Sequence, residues 1–143
     1  MEFTCKEALD FSQRGEIDKW VHEFLTSVGK NNHLSEIMKE KGHFYGPVDI
    51  PFSKLIRCCG PEKNMKFYEF KDKWEDRNNS MIKAIKNEWN VPPFIVWCRK
   101  GKLSIADGNH RIEALKKCGF KKYWVIIWFK KLEDLKKFKI NFR

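Results

Sequence analysis

Seven consecutive residues, Tyr123-Trp124-Val125-Ile126-Ile127-Trp128-Phe129, constrain the fold of this chain more than any others. A run of β-branched and aromatic residues of this length forms a strand. Because it is apolar throughout rather than alternating, the strand is mostly buried. It is also the longest apolar stretch in the sequence, well short of the ~20 residues that cross a bilayer, so no membrane span is expected. A buried strand needs neighbours. Phe94–Cys98 reads as a second strand, Arg99-Lys100-Gly101-Lys102 as a turn and Leu103–Ala106 as a third strand, which together make a hairpin. Val48–Ile56 reads as a short strand running into a turn, and its Pro51 suits a sheet edge.

The covering layers are helical. From Ile17, the residues Trp20, Val21, Phe24, Leu25 and Val28 fall on one helix face that Gly29 stops. This stripe reads as core packing rather than as a lid over a substrate. A weaker helix covers Leu34–Lys41 and closes at Gly42. Lys71 to Trp89 is helical, with Trp74, Asn78, Met81, Ile82, Ile85 and Trp89 on one stripe, and Pro92-Pro93 ends the segment. Further helices are expected over Arg111–Lys117, before Gly119, and over Leu132–Lys139. The reading is α+β, a small mixed sheet covered by helices.

The chain has 143 residues, 42% of them hydrophobic, which fits one domain able to bury a core without a disulfide or metal staple. Five cysteines, an odd number, form no closed disulfide framework. The first residues, Met1-Glu2-Phe3-Thr4-Cys5-Lys6-Glu7, resemble no export signal, so a cytoplasmic protein is expected. Cys5, Cys58, Cys59, Cys98 and Cys118 are then thiols. His22, His33, His43 and His110 lack ligand spacing, and no metal site is expected.

The net charge of +10 is unevenly placed: residues 116–143 hold ten Lys/Arg and two acids, a local balance of +8. Such a stretch attracts phosphate-rich partners, and weak non-specific nucleic-acid binding through it is one expectation. Trp97, Trp124 and Trp128 would stack on bases only if exposed, and their place in strands assigns them to the core.

The stretch with chemistry is Asp107-Gly108-Asn109-His110-Arg111. A strand ends at an acid and a glycine, and a helix starts at once. The first N–H groups of a helix lack partners and carry the positive end of its dipole. His110 and Arg111 at that end oppose the dipole, each costing about 0.3–1 kcal/mol. A bound anion reverses that penalty. Gly108–Arg111 therefore reads as a phosphate cradle, with Asp107 beside it as a base or metal-orienting group. The residues alone also allow a plain turn in which Asn109 is the N-cap.

This string, followed by Ala114-Leu115 and Gly119, resembles the signature of the ParB/sulfiredoxin superfamily. Val48-Asp49-Ile50-Pro51-Phe52-Ser53-Lys54-Leu55-Ile56 is similar to that family's opening strand, and Pro92-Pro93-Phe94-Ile95-Val96-Trp97 to the first strand of its hairpin. The resemblance implies a nucleotide-binding core over 47–131, with a helical extension over 1–46 packed on it and a basic helix over 132–143. It implies that Gly108, Asn109, His110 and Arg111 hold the phosphates of ATP, ADP or CTP with Mg²⁺, helped by Arg77 and Ser80 on the helix before the double proline. By likeness to free-serine kinases of the superfamily, an acid after the opening strand serves as base, with Glu62 the nearest match and Asp49 the other.

Asn109 stands where a sulfiredoxin has its cysteine, so sulfinic-acid reduction is not expected. A chromosome-partition ParB has a glutamate-arginine-rich motif after this turn and then a helix-turn-helix domain; only 32 residues follow Arg111, too few for both, so operator-specific DNA segregation is not expected either. The function implied is a phosphotransferase or nucleotide hydrolase acting on a small molecule, with Asp107, His110 and Glu62 as catalytic residues. A non-catalytic nucleic-acid-binding module is the alternative.

Overall fold

The computed structural model describes residues 1–40 and 42–142. Lys41, the last residue of the expected helix Leu34–Lys41, and Arg143, the last of the basic segment, lie outside them. The strand expected at Tyr123 runs over Lys122–Phe129. It is β7 of a five-stranded sheet, whose other members are β1 (His43–Pro51), β2 (Leu55–Arg57), β5 (Phe94–Arg99) and β6 (Lys102–Asp107). The spatial order is β1-β7-β5-β6-β2. β7 pairs antiparallel with β1 and parallel with β5, β5 pairs antiparallel with β6, and β6 pairs parallel with β2.

The unbroken apolar run of β7 is explained by what covers it. Val125, Ile127 and Phe129 face a cluster with Ile50, Phe94, Val96, Ile112, Leu115, Leu135 and Phe138. That layer includes α5 (Asn109–Lys117) and α6 (Leu132–Asn141). Ile126 and Trp128 point the other way, into Trp20, Val21, Phe24, Leu25, Leu34 and Met38. The second layer is built by α1 (Cys5–Gln13), α2 (Ile17–Thr26) and α3 (Asn32–Met38). Both faces are dry, and each fully buried Val, Ile or Phe contributes about 1.5–3 kcal/mol. The helical extension thus supplies one of the two layers that cover the sheet.

Several expectations change at their edges. The strand expected over Val48–Ile56 begins at His43, leaves the ladder after Pro51, makes a single 3₁₀ turn over Phe52–Lys54, and resumes as β2 on the far side of the sheet. Phe52 drives the break: its ring is buried in the core and its N–H donates to Lys121 O at 2.9 Å. β1 does lie at a sheet edge, as Pro51 requires. Trp128 is buried and Trp97 packs edge-on against it with ring centroids 5.2 Å apart, whereas Trp124 is 40% exposed, lining a surface hollow with Cys5, Lys6 and Leu9 of α1. Val28 is likewise exposed rather than part of the α2 stripe.

Helix α4 covers Lys71–Lys86 and stops before Trp89. Two very short strands, β3 (Cys59–Gly60) and β4 (Phe67–Tyr68), were not legible in the sequence. Helix α1 was legible in principle: Thr4-Cys5-Lys6-Glu7 has capping-box spacing, and the Thr4 hydroxyl accepts from Glu7 N at 3.1 Å. Among the described residues no helix is long and apolar enough to cross a membrane.

Candidate functional site

Strand β6 delivers Asp107 and helix α5 begins at Asn109, so one residue, Gly108, makes the whole turn. Its φ of +122° is a conformation L side chains rarely adopt, and a Cβ there would lie 2.8 Å from Phe94 Cδ1. Gly108 itself is the N-cap, and no side chain caps α5. The turn opens into a cleft of about 170 Å³. Its walls are Gly108 to Arg111, Asp107, Arg77 and Met81 from α4, Trp89 and Pro92 from the loop after α4, and Phe24, Val28 and Gly29 at the end of α2.

Two of the expected ligand-facing side chains are turned into the protein. Arg111 is buried, and one of its terminal nitrogens donates to Pro92 O at 2.7 Å and Pro93 O at 3.1 Å. The other donates to Asp107 Oδ2 at 2.7 Å, four residues back at the end of β6. Burial pushes its guanidinium below the ordinary arginine range, opposed by the Asp107 charge. Asn109 is buried too: its Oδ1 accepts from Cys58 N at 2.9 Å and Cys59 N at 3.4 Å, and its Nδ2 donates to Ile105 O at 3.2 Å. Both residues line the cleft, but the two terminal nitrogens of Arg111 and the Asn109 amide already have partners. Asp107 is also spent internally, accepting from Arg111 and, at 3.4 Å, from Asn31 Nδ2. Asn31 caps α3, so the N-terminal layer is tied to the turn.

His110 behaves differently. Its Nε2 lies 2.7 Å from Glu69 Oε2, and its ring packs on Trp74 with centroids 4.4 Å apart. Burial, reinforced by Arg77, holds the imidazole below its ordinary 6.5 and outweighs the upward pull of Glu69. The imidazole is therefore neutral at pH 7. With Nε2 donating to the Glu69 carboxylate oxygen, Nδ1 is left as an acceptor. Glu69 escaped the sequence reading because it belongs to no motif. It sits among Phe67, Tyr68 and Phe70, and only the β3–β4 pairing brings it to α5.

Since the folded-state value of His110 lies below that of the unfolded chain, the unfolded chain binds more protons as pH falls. Stability from this group is complete above about 6.5 and declines as pH drops through 6.5 toward the folded value. His22 is shifted the same way by burial and Lys39. The urea midpoint should thus fall between about pH 7.5 and 5. His110→Gln should flatten part of that slope, and adding His22→Gln should flatten more. An unchanged slope in the double variant would show that neither imidazole is buried neutral.

Arg77 is the half-exposed cation of the cleft, with a side chain 58% accessible and a long 3.8 Å contact to Glu69 Oε1. Ser80, three residues on, lines adjoining hollows along α4 but not the cleft itself. Glu62 is not brought to the cleft: it pairs with Arg57, which also holds Glu113 and lies over the Trp74 ring. Asp49 pairs with Lys122 at the β1 edge. The five cysteines are free thiols, and burial together with Glu69 pushes Cys59 up to about 11, far from a nucleophilic thiolate.

The residues present do not fit a resident Mg²⁺ site. Among the described residues no three His, Cys, Asp or Glu side chains are placed to hold a metal ion. The carboxylate in the cleft wall, Asp107, is already committed to Arg111.

No protein-family model matches this chain, and no curated protein matches it. Among solved structures it is similar to a Pnob8-like ParB-N domain, at 15% identity over 62% of this chain and 30% of that one, with a TM-score of 0.41. It is similar to the C-terminally truncated chromosome-partitioning protein ParB from Caulobacter crescentus complexed with CTP-gamma-S, at 27% identity over 67% of this chain and 50% of that one, TM-score 0.37. The same protein complexed to the centromeric parS site gives 24% identity over 62% and 41%, TM-score 0.35. The chain spans half or less of the length of each of these.

Proposed function

We propose that the cleft at the start of α5 binds the phosphates of a nucleoside polyphosphate. One observation carries this reading: the uncapped first turn of α5 and the half-exposed Arg77 guanidinium line the same concavity. First-turn backbone N–H groups that no side chain caps and a half-exposed cation are what a polyphosphate requires. Arg111 and Asn109 serve the site by holding its backbone in shape, and Gly108, His110 and Arg77 face the ligand. Mg²⁺ would come with the nucleotide, since the chain builds no site of its own for it.

For the chemistry that follows, phosphoryl transfer to a small acceptor or hydrolysis, we assign His110 as proton acceptor. Its Nε2–H is held by Glu69 and its other nitrogen is free of a proton, the arrangement by which a carboxylate orients an imidazole base. Glu62 and Asp107 fit that role less well, being engaged by Arg57 and Arg111. Calorimetric titration with ATP, ADP and CTP tests the reading. Wild type should bind at least one of the three, and His110→Ala should retain binding while losing any turnover. Absence of binding by all three would end this reading.

A second reading has its own observation. Lys130, Lys131, Lys136 and Lys137 are exposed, and among the described residues none of them is in an ion pair. Nucleic-acid binding there should weaken steeply with salt and survive Arg77→Ala. Deleting α6 is a poor test, because Leu135 and Phe138 are part of the core. Replacing the four lysines with glutamine should abolish the binding, and retention of it would exclude this surface.

A further inference from the structure

Three hollows meet along one stripe of α4. The cleft shares Met81 and Trp89 with a second hollow of about 430 Å³, otherwise walled by Ser80, Ala84 and Asn87. A third, of about 270 Å³, shares Arg77 and Met81 with the cleft and Ser80 with the second. Residues 77, 80, 81 and 84 are spaced as neighbours on one helix face, so α4 floors a continuous trough. Its two ends differ in chemistry. Toward α5 stand Arg77 and the first-turn amides, with the Asp76 carboxylate in the third hollow beside Arg77. Toward the end of α4 stand the Met81 thioether, the Ala84 methyl and the Trp89 indole, with the Ser80 hydroxyl and the Asn87 amide as polar groups.

The position of Trp89 is held against local preference. Its N–H donates to Ala84 O at 2.9 Å, closing the end of α4, and Glu88 between them has a φ of +65°. That left-handed position after a helix is normally given to glycine or asparagine. The turn keeps the indole 36% exposed as a shared wall of the cleft and the second hollow, rather than packed in the core where its place on the α4 stripe would have put it. A flat apolar ring, one step from a cationic end, matches a ligand that joins a planar heterocycle to phosphates.

We infer that the Trp89 hollow receives the base of the nucleotide. The phosphates sit at the start of α5, the sugar crosses Met81 and the base stacks on the indole. This rests on the reading of the cleft given above. Stacking accepts any base, because each has a π face. Discrimination then falls to Asn87 and Ser80, whose polar atoms can meet the edge of the ring.

The test compares two probes, ADP and inorganic pyrophosphate, on wild type and Trp89→Ala by calorimetric titration. Trp89→Ala should weaken ADP about tenfold or more, leave pyrophosphate within about twofold, and be largely rescued by Trp89→Phe. Unchanged ADP affinity, or an equal loss for both probes, overturns the inference. So does a wild type that binds ADP no more tightly than pyrophosphate, though that outcome leaves the phosphate cleft standing. A wild type that binds neither probe overturns both.

Discussion

Arg111→Ala should lower the free energy of unfolding by about 3–5 kcal/mol, the typical cost of removing one partner from a buried ion pair. The guanidinium makes three bonds at 2.7–3.1 Å, to Pro92 O, Pro93 O and Asp107, in a position where the residue is 5% exposed. Its loss strands a carboxylate and two carbonyls, which bind the double proline and the β6–α5 turn to each other. The rings of Phe24 and Phe94 also lie 5.4 and 5.6 Å from its central carbon, so truncation removes packing from both layers. Arg111→Lys should recover only part of the loss, because one ammonium cannot span a fork of three acceptors. The measurement is the urea midpoint at constant slope. An unfolding free energy within about 0.5 kcal/mol of wild type would show that the guanidinium is dispensable to the fold, and would return Arg111 to the list of ligand contacts.

Arg77→Ala should do the reverse. Affinity for a nucleoside polyphosphate should fall about 10–100-fold, the equivalent of one hydrogen bond to a charged group. Stability should stay within about 0.5 kcal/mol, since Arg77 is half exposed and its contact to Glu69 is long at 3.8 Å. Two arginines beside one cleft are thus separable by experiment, one carrying structure and the other carrying the ligand. Calorimetry and urea unfolding on the same preparations make the separation. Should Arg77→Ala bind like wild type, the cation of the site lies elsewhere and the phosphate reading loses its main side-chain contact.

The pair also shows how far local sequence reaches. Asp107 to Arg111 announced a special turn, because a glycine between strand and helix followed by two basic residues breaks the dipole preference. The pattern did not say which base faces out. An arginine four residues beyond an aspartate, across a strand-to-helix turn, can fold back on it or reach into solvent. The choice was made by the double proline, whose carbonyls Pro92 O and Pro93 O accept from Arg111 across 18–19 residues of sequence. Glu69 was invisible for the same reason. Its partner His110 is 41 positions away, and the contact depends on a two-residue ladder between Cys59–Gly60 and Phe67–Tyr68 with no hydrophobic period to betray it.

What the sequence determined by itself was everything governed by period and by local stereochemistry. The unbroken apolar run made β7 a strand with two dry faces, the spacing of Trp20, Val21, Phe24 and Leu25 made α2 a core helix, and Gly108 made the turn. Only the tertiary structure decided which polar groups meet. Pairing of charges depends on distances of a few ångströms between segments remote in the chain, and such distances are set by how the layers pack. The residues that shape this site and those left to meet a ligand were sorted at that level.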